Sequence, residues 1–203
     1  MKKLVLIIGL LFSVEVFADL FDDGMVELKK KNYEEAAILF DISCVGGNTE
    51  GCVIMGDISM QKKEYFKATY YFKQACNRGN AKSCFNAGIS YEYARGVDKN
   101  MPEAAKYYEK ACNSKYINAC YNLGIMYDNG TGVKQNKQKA LKLYKQSCDG
   151  ETSLGCTNLG NLYYMGRGMR ANYKKAKEYF GRGCDGGDAN GCAGYKDLTA
   201  KGY

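Results

Sequence analysis

The residues of this 203-residue chain whose type and spacing most clearly indicate chemistry are its ten cysteines. They form five pairs, and seven residues separate the two members of each pair. Cysteine chemistry offers two main possibilities, metal binding by thiolates and disulfide formation. Zinc sites favour close thiolate pairs or mixtures with histidine, but the chain has no C-x-x-C motif and no histidine. We therefore predict no metal, no cofactor and five local disulfides: Cys44–Cys52, Cys76–Cys84, Cys112–Cys120, Cys148–Cys156 and Cys184–Cys192.

Nucleophilic catalysis has few candidate groups in this sequence. The lack of histidine excludes Ser-His-Asp and Cys-His arrangements, and oxidised cysteines are not nucleophiles. Ser59 and Lys62 match the S-x-x-K motif of serine β-lactamases, but the accompanying S-D-N and K-T-G motifs are missing. Eight serines and 24 lysines produce about one such match by chance. We expect Ser59 to end a helix and Lys62 to lie in a linker, so we interpret the match as coincidence and assign no catalytic residue.

The first 18 residues have the pattern of a secretory signal peptide. Lys2 and Lys3 precede an apolar run over 4–12, and Val16-Phe17-Ala18 suits signal peptidase. The alternative, a membrane anchor, needs a longer apolar run. We predict cleavage near Ala18 and a secreted or periplasmic protein, in an oxidising compartment where paired cysteines form disulfides.

The charge is spread along the chain rather than clustered. The formal net charge is +7, and scattered basic residues are typical of solvated helix faces, not of a nucleic-acid-binding patch. We therefore predict no nucleic-acid partner and no membrane span in the mature protein.

The elements that position the cysteines repeat along the chain. The first cysteines of successive pairs lie 32, 36, 36 and 36 residues apart, a period typical of repeat arrays. Alanine stands eight residues before each first cysteine, and an aromatic residue stands four before it. Positions four apart share one helix face, so each cysteine ends an amphipathic helix. The five pairs are Ala36/Phe40, Ala68/Phe72, Ala104/Tyr108, Ala140/Tyr144 and Ala176/Phe180.

A second helix begins near each second cysteine. Glycine follows that cysteine by four residues at Gly56, Gly88, Gly124 and Gly160, and tyrosine follows it by seven in three repeats. Glycine inside a helix costs about 1 kcal/mol relative to alanine, so its recurrence indicates close packing. We expect the alanine of the following helix to be its neighbour.

These positions predict a chain of helix hairpins in a single repeat domain over 19–203. Helices are expected near 20–30, 33–45, 49–60, 64–77, 81–93, 102–113, 117–128, 137–149, 153–165, 173–185 and 189–201. The repeats span about 19–48, 49–80, 81–116, 117–152 and 153–188, and a capping helix lies within 189–203. Each disulfide joins the second helix of one hairpin to the first helix of the next. Glycine-containing inserts at 94–97, 130–133 and 166–169 are interpreted as connectors rather than phosphate-binding loops, since G-x-G alone is common.

The string ACYNLGIMYDNGTGV at 119–133, followed by KALKLYKQSC at 139–148, resembles a Sel-like repeat, a relative of the tetratricopeptide repeat. Cysteines at this spacing in an exported array resemble the Helicobacter cysteine-rich protein family. The resemblance implies an all-α, right-handed α/α solenoid stapled by disulfides. It also implies binding of β-lactams or peptidoglycan-like ligands, with slow β-lactam hydrolysis. The alternative is a protein–protein interaction scaffold without catalytic activity.

By the same resemblance, the first helix of each hairpin lines a binding groove. Aromatic and asparagine side chains there suit an extended peptide or a cell-wall-derived strand, because asparagine both donates and accepts hydrogen bonds. Another protein is also a possible partner. The predicted groove residues are Phe85, Ile89, Tyr93, Asn118, Tyr121, Ile125, Asp128, Asn129, Asn161 and Tyr164, and the remaining equivalent positions hold Lys82, Glu92, Leu154, Thr157 and Met165.

Overall fold

The computed structural model describes residues 19–203, so the predicted signal peptide lies outside the described residues. The described residues form eleven α-helices and no strand, which confirms the all-α prediction. Every predicted helix is present with its ends within one residue of the expected positions. The helices are α1 (19–29), α2 (Tyr33–Val45), α3 (Thr49–Gln61), α4 (Tyr65–Asn77), α5 (Ala81–Glu92), α6 (Met101–Asn113), α7 (Ile117–Asn129), α8 (Lys137–Asp149), α9 (Ser153–Met165), α10 (Tyr173–Asp185) and α11 (Ala189–Ala200).

The chain divides into two compact units, one ending at Lys99 and one running from Asn100 to Tyr203. In the first unit, α2 packs against α3, α3 against α4, and α4 against α5. In the second unit, each helix from α6 to α11 likewise packs against the next one along the chain. Packing between sequence neighbours is the arrangement of an α/α solenoid, in which each repeat is stabilised by the adjacent ones.

The core of each repeat is built from the predicted alanine and aromatic positions. The five alanines are at most 1% exposed, and the five aromatic residues four positions later are at most 3% exposed. Deep burial of aromatic rings supplies much of the hydrophobic stabilisation of such small repeats.

The nearest neighbour of Gly56, Gly124 and Gly160 is the aromatic ring of the following helix and not the alanine, so that part of the prediction was wrong. A Cβ atom on Gly56 would lie 2.5 Å from Cε1 of Phe72, and one on Gly124 would lie 2.8 Å from the ring of Tyr144. Gly24 and Gly160 face the rings of Phe40 and Phe180 in the same way. Glycine is therefore needed because the ring of the next helix lies directly on its backbone.

The disulfides of the structure are the five C-x(7)-C pairs, all within residues 19–203. Each joins two consecutive helices across a short turn, and the paired Cα atoms lie 4.4 to 4.7 Å apart. So close a crossing leaves room only for small residues immediately before each cysteine. A Cβ atom on Gly51 would lie 2.2 Å from Oγ of Ser43, and one on Gly155 would lie 2.4 Å from Oγ of Ser147.

The four-residue inserts act as connectors that reach the start of the preceding hairpin's second helix. Gly132 has a φ of +72°, and a Cβ atom there would lie 2.5 Å from the carbonyl carbon of Met101. Both the positive φ and the close approach require glycine. The next helix then begins at an asparagine N-cap, since Asn136 Oδ1 accepts a hydrogen bond from the backbone N–H of Lys139.

Candidate binding site on the repeat helices

The predicted groove residues lie on α5, α7 and α9, and we call the side of these helices that carries them the A-helix face. In the first unit, Phe85 and Ile89 are half-buried, whereas Tyr93 is 62% exposed with the Arg95 guanidinium 5.7 Å from its ring centroid. Ile89 and Arg95 help to line a cavity of about 180 Å³. The Tyr93 ring is thus available to a partner.

On α7, the two asparagines at the ends of the helix are exposed and the middle of the helix is not. Asn118 and Asn129 face solvent, while Ile125 and Tyr121 pack partly buried against the cluster around Tyr144. The ring centroids of Tyr121 and Tyr144 lie 6.1 Å apart. Tyr121 therefore contributes mainly to the packing beneath the A-helix face, and its ring is only partly exposed.

Asn158, which was not among the predicted residues, connects α9 to this tyrosine pair. Its side chain lies near the phenol groups of both Tyr121 and Tyr144 and influences the pKa of each. Burial raises the pKa of both phenols, and Asn158 acts in the opposite direction. A sequence signal existed, since asparagine stands two residues after the second cysteine in three repeats, at Asn86, Asn122 and Asn158.

Asp128 has an internal partner. Its carboxylate lies 2.5 Å from Nζ of Lys137, and both side chains are mostly buried. Lys137 Nζ and Gln135 Nε2 also donate hydrogen bonds to the backbone carbonyl of Asp128. These bonds tie the end of α7 to the following connector, so Asp128 holds the loop in place.

On α9 the exposed side chains are Leu154 and Met165, at 46% and 54% exposure. Asn161 is half-buried between them. Tyr164 packs against other rings, with its centroid 5.5 Å from that of Tyr173. The A-helix face of the second unit therefore combines exposed amides on α7 with exposed apolar side chains on α9.

Ser59 and Lys62 lie where the sequence places them, in the last turn of α3 and directly after it. Ser59 is 2% exposed. Both residues line a cavity of about 320 Å³, together with Tyr71 and Asp41, whose carboxylate accepts a 2.7 Å hydrogen bond from the Tyr71 hydroxyl.

Ion pairs and burial shift the pKa values of several side chains in the described part of the chain. A hydrogen bond from Lys145 lowers the pKa of the Asp149 carboxyl, and the same bond raises the pKa of Lys145. Burial, followed by the hydrogen bond to Asp41, raises the pKa of Tyr71. A general acid or base poised near neutral pH requires shifts in the opposite directions.

Within residues 19–203, no cluster of three or more metal-ligating side chains is present. In the same range, no helix combines the length and apolar character required to cross a bilayer.

The fold and the cysteine pattern together define a disulfide-rich helical repeat scaffold of the tetratricopeptide-related class. The sequence profile of the Sel1 repeat matches residues 55–80, 81–116, 117–151 and 153–188. The chain therefore belongs to the Sel1 repeat family, and five disulfides of this kind are typical of proteins that mature in an oxidising compartment.

Solved structures of similar fold come from several bacteria. A Sel1 repeat protein from Oxalobacter formigenes is 26% identical with a TM-score of 0.76, over 87% of this chain and 74% of that chain. A protective antigen of uropathogenic Escherichia coli with an SLR fold has a TM-score of 0.77 at 21% identity, over 86% of this chain but only 39% of the antigen. Helicobacter pylori cysteine rich protein B is 28% identical, with a TM-score of 0.48, over 63% of this chain and 94% of that chain. No curated protein sequence matches the chain.

Proposed function

We propose that this protein is an interaction scaffold that binds an extended peptide or a cell-wall-derived strand along the A-helix face of its second unit. The observation that carries the proposal is the exposure of Asn118 and Asn129 on α7 and of Leu154 and Met165 at the equivalent positions of α9. Amides suit the backbone of an extended ligand because they both donate and accept. The apolar side chains suit the ligand's own side chains.

Rigidity of the face supports the same proposal. Helix α8 packs against both α7 and α9, and the ring of Tyr121 on α7 contacts that of Tyr144 on α8, with centroids 6.1 Å apart. The disulfides Cys112–Cys120 and Cys148–Cys156 fix the turns that precede α7 and α9. A face held in one geometry loses little conformational entropy on binding, which favours affinity.

The test begins with selection of peptides from a displayed random library on the oxidised protein, with a muropeptide digest as a parallel ligand. Binding of a selected peptide or purified muropeptide is then measured by fluorescence anisotropy. Replacing Asn129 and Met165 together by alanine should weaken binding about tenfold or more, as expected for central contacts. Tyr121 is left unchanged because its loss would disturb the core.

The matched control replaces Gln138 and Lys142 by alanine, since both are exposed on α8 outside the A-helix face. It should leave affinity unchanged, and both double variants should keep the wild-type melting temperature. Equal weakening by the two variants, or no effect of the first, would contradict the proposal.

A second candidate function is β-lactam binding with slow hydrolysis, which rests on the resemblance of the C-x(7)-C spacing to the Helicobacter cysteine-rich family. Ser59 and Lys62 line the same cavity, so substitution of these two residues tests this candidate function. We expect Ser59→Ala and Lys62→Ala to leave any nitrocefin turnover by the purified oxidised protein unchanged. An acyl adduct on Ser59 detected by mass spectrometry would instead make the protein a serine hydrolase.

We also propose that the protein is secreted or periplasmic after cleavage near Ala18. The disulfides support this location because they persist in oxidising compartments. N-terminal sequencing of the exported protein tests the cleavage position, and a mature protein that begins at Met1 would contradict it.

A further inference from the structure

A tyrosine ring fills the space between the two helices of the hairpin in the later repeats. In the fourth repeat, the Tyr127 ring lies under Nζ of Lys139, 4.8 Å from the ring centroid. In the fifth, the Tyr163 ring stacks on Tyr179 with centroids 5.5 Å apart and an interplanar angle of 5°. Lys175 lies over the same Tyr163 ring at 5.4 Å. The ring is held by a lysine in both cases and by a second ring in the fifth repeat.

The second repeat has the partners of this ring but not the ring itself. Seven residues after its second cysteine stands Ser59, where the later repeats have tyrosine. Lys67 lies nine residues before Cys76, the position of the two lysines described above, and Tyr71 lies five before it, the position of Tyr179.

The backbone register is the same in spite of the shorter connector. The backbone N–H of Glu64 donates to the carbonyl of Ser59 at 2.9 Å, and that of Asn136 donates to the carbonyl of Tyr127 at 2.9 Å. The same bond recurs in the fifth repeat. Ser59 is therefore the structural equivalent of the tyrosines.

The missing ring leaves space beside Ser59. The cavity that Ser59 lines with Met55 and Tyr71 measures about 320 Å³, whereas the equivalent one, which Tyr127 lines with Leu123 and Leu143, measures about 190 Å³. A separate cavity between Tyr127 and the connector residues 133–136 measures about 480 Å³. Ligand pockets in proteins begin at roughly 300 Å³. The hydrogen bond from Tyr71 to Asp41 also fixes the orientation of the Tyr71 ring at the cavity wall.

The rim of this cavity continues into an exposed apolar strip on α2. Ile38 lines the cavity and is 55% exposed, and Ile42 and Val45 follow on the same helix face at 40% and 70% exposure. The equivalent positions of the fourth repeat hold Lys142, Gln146 and Asp149. Seven residues of helix extend for about 10 Å, more than a free phenol covers, so the strip fits a polypeptide partner.

We propose that the cavity beside Ser59 is a pocket for an aromatic side chain of a partner polypeptide. The partner's tyrosine or phenylalanine ring occupies the place that Tyr127 and Tyr163 fill internally, beside the Tyr71 ring and next to Lys67, whose ammonium is held at the cavity by an ion pair with Glu64 at 2.8 Å. Cation–π attraction and ring packing are the interactions that the later repeats use at this position. Apolar residues next to that ring cover Ile38 and Ile42.

The test uses the full oxidised protein and three probes: the peptide acetyl-Leu-Ala-Tyr-Ala-Leu-amide, the same peptide with leucine in place of tyrosine, and p-cresol. Backbone amide chemical shifts report binding. The tyrosine peptide should shift amides of α2, α3 and α4 and bind about tenfold more tightly than the leucine peptide and p-cresol. Equal binding of the two peptides would overturn the aromatic pocket, and p-cresol binding as tightly as the tyrosine peptide would overturn the polypeptide partner.

Two variants locate the pocket. Ser59→Tyr restores the residue of the later repeats and should abolish peptide binding while keeping or raising the melting temperature; Ser114→Tyr, at an exposed position, is its control. If Ser59→Tyr fails to fold, Ile38→Lys gives the decisive result, because it alters only the exposed rim of the cavity. It should weaken binding of the tyrosine peptide more than binding of p-cresol. Wild-type affinity in a folded Ser59→Tyr protein, or in Ile38→Lys, would overturn the proposal.

Discussion

Removal of the Cys148–Cys156 disulfide should cost a substantial part of the folding free energy. The bond closes a loop of nine residues, and the entropy that the unfolded chain regains when the bond is removed corresponds to about 2.6 kcal/mol. Both cysteines are at most 3% exposed, so Cys148→Ala with Cys156→Ala also leaves a small void that costs roughly 1 kcal/mol. For a protein of this length, the combined loss of free energy from the loop and the void lowers the melting temperature by roughly 10 °C.

The matched comparison is the Cys184–Cys192 pair, which closes a loop of the same length but is half-buried. Its double alanine variant should lose about 2.6 kcal/mol, the entropic part alone. Thermal and urea unfolding are followed by far-UV circular dichroism, and full reduction should lower the melting temperature further while leaving considerable helix. A Cys148/Cys156 variant that melts within about 1 °C of wild type, or a larger loss at the second pair, would refute the reasoning.

Three further expectations concern connectivity, packing and pH. Non-reducing peptide mapping should find only links within C-x(7)-C pairs, and a link between pairs would disprove local pairing. Gly124→Ala should lower the unfolding free energy by about 1 kcal/mol, since overpacking against the buried Tyr144 ring exceeds the helix-propensity gain; Gly181→Ala, which faces a partly exposed ring, should not destabilise. Burial raises the pKa of Tyr144, so its contribution to stability is present below about pH 10 and is lost as pH rises through the folded pKa. Urea midpoints of Tyr144→Phe should therefore fall less between about pH 9 and 11 than those of wild type or of the exposed control Tyr93→Phe.

The fold could be predicted because its determinants are periodic. Alanine, aromatic residue and cysteine at fixed offsets define the helices, and the helix ends lie within one residue of the prediction. The partner of the glycines could not be obtained from spacing. The alanine and the aromatic residue follow the glycine in every hairpin and always lie four residues apart, so spacing does not choose between them; the packing of Phe72 on Gly56 does.

The candidate site was harder to predict because side chains on equivalent positions have different neighbours. Asp128 is paired with Lys137 from the following helix, and Tyr121 lies near Asn158, 37 residues further along the chain. Periodicity places such residues on a face but does not say whether a neighbour engages them. In the sequence, the cavity at Ser59 is indicated only by the missing tyrosine. Its interpretation as an aromatic pocket depends on the ring stacking observed at Tyr163.

The strictly local pairing of the cysteines has a consequence for how the protein acquires its covalent structure. Ten thiols can pair in hundreds of ways, but each native partner here is eight positions away in sequence and is brought close by a single helical turn-around. Short loops close far more rapidly than thiol oxidation proceeds. Oxidation can therefore follow the order in which segments become available, from the amino terminus onward, with little need for an isomerase to correct mispaired intermediates.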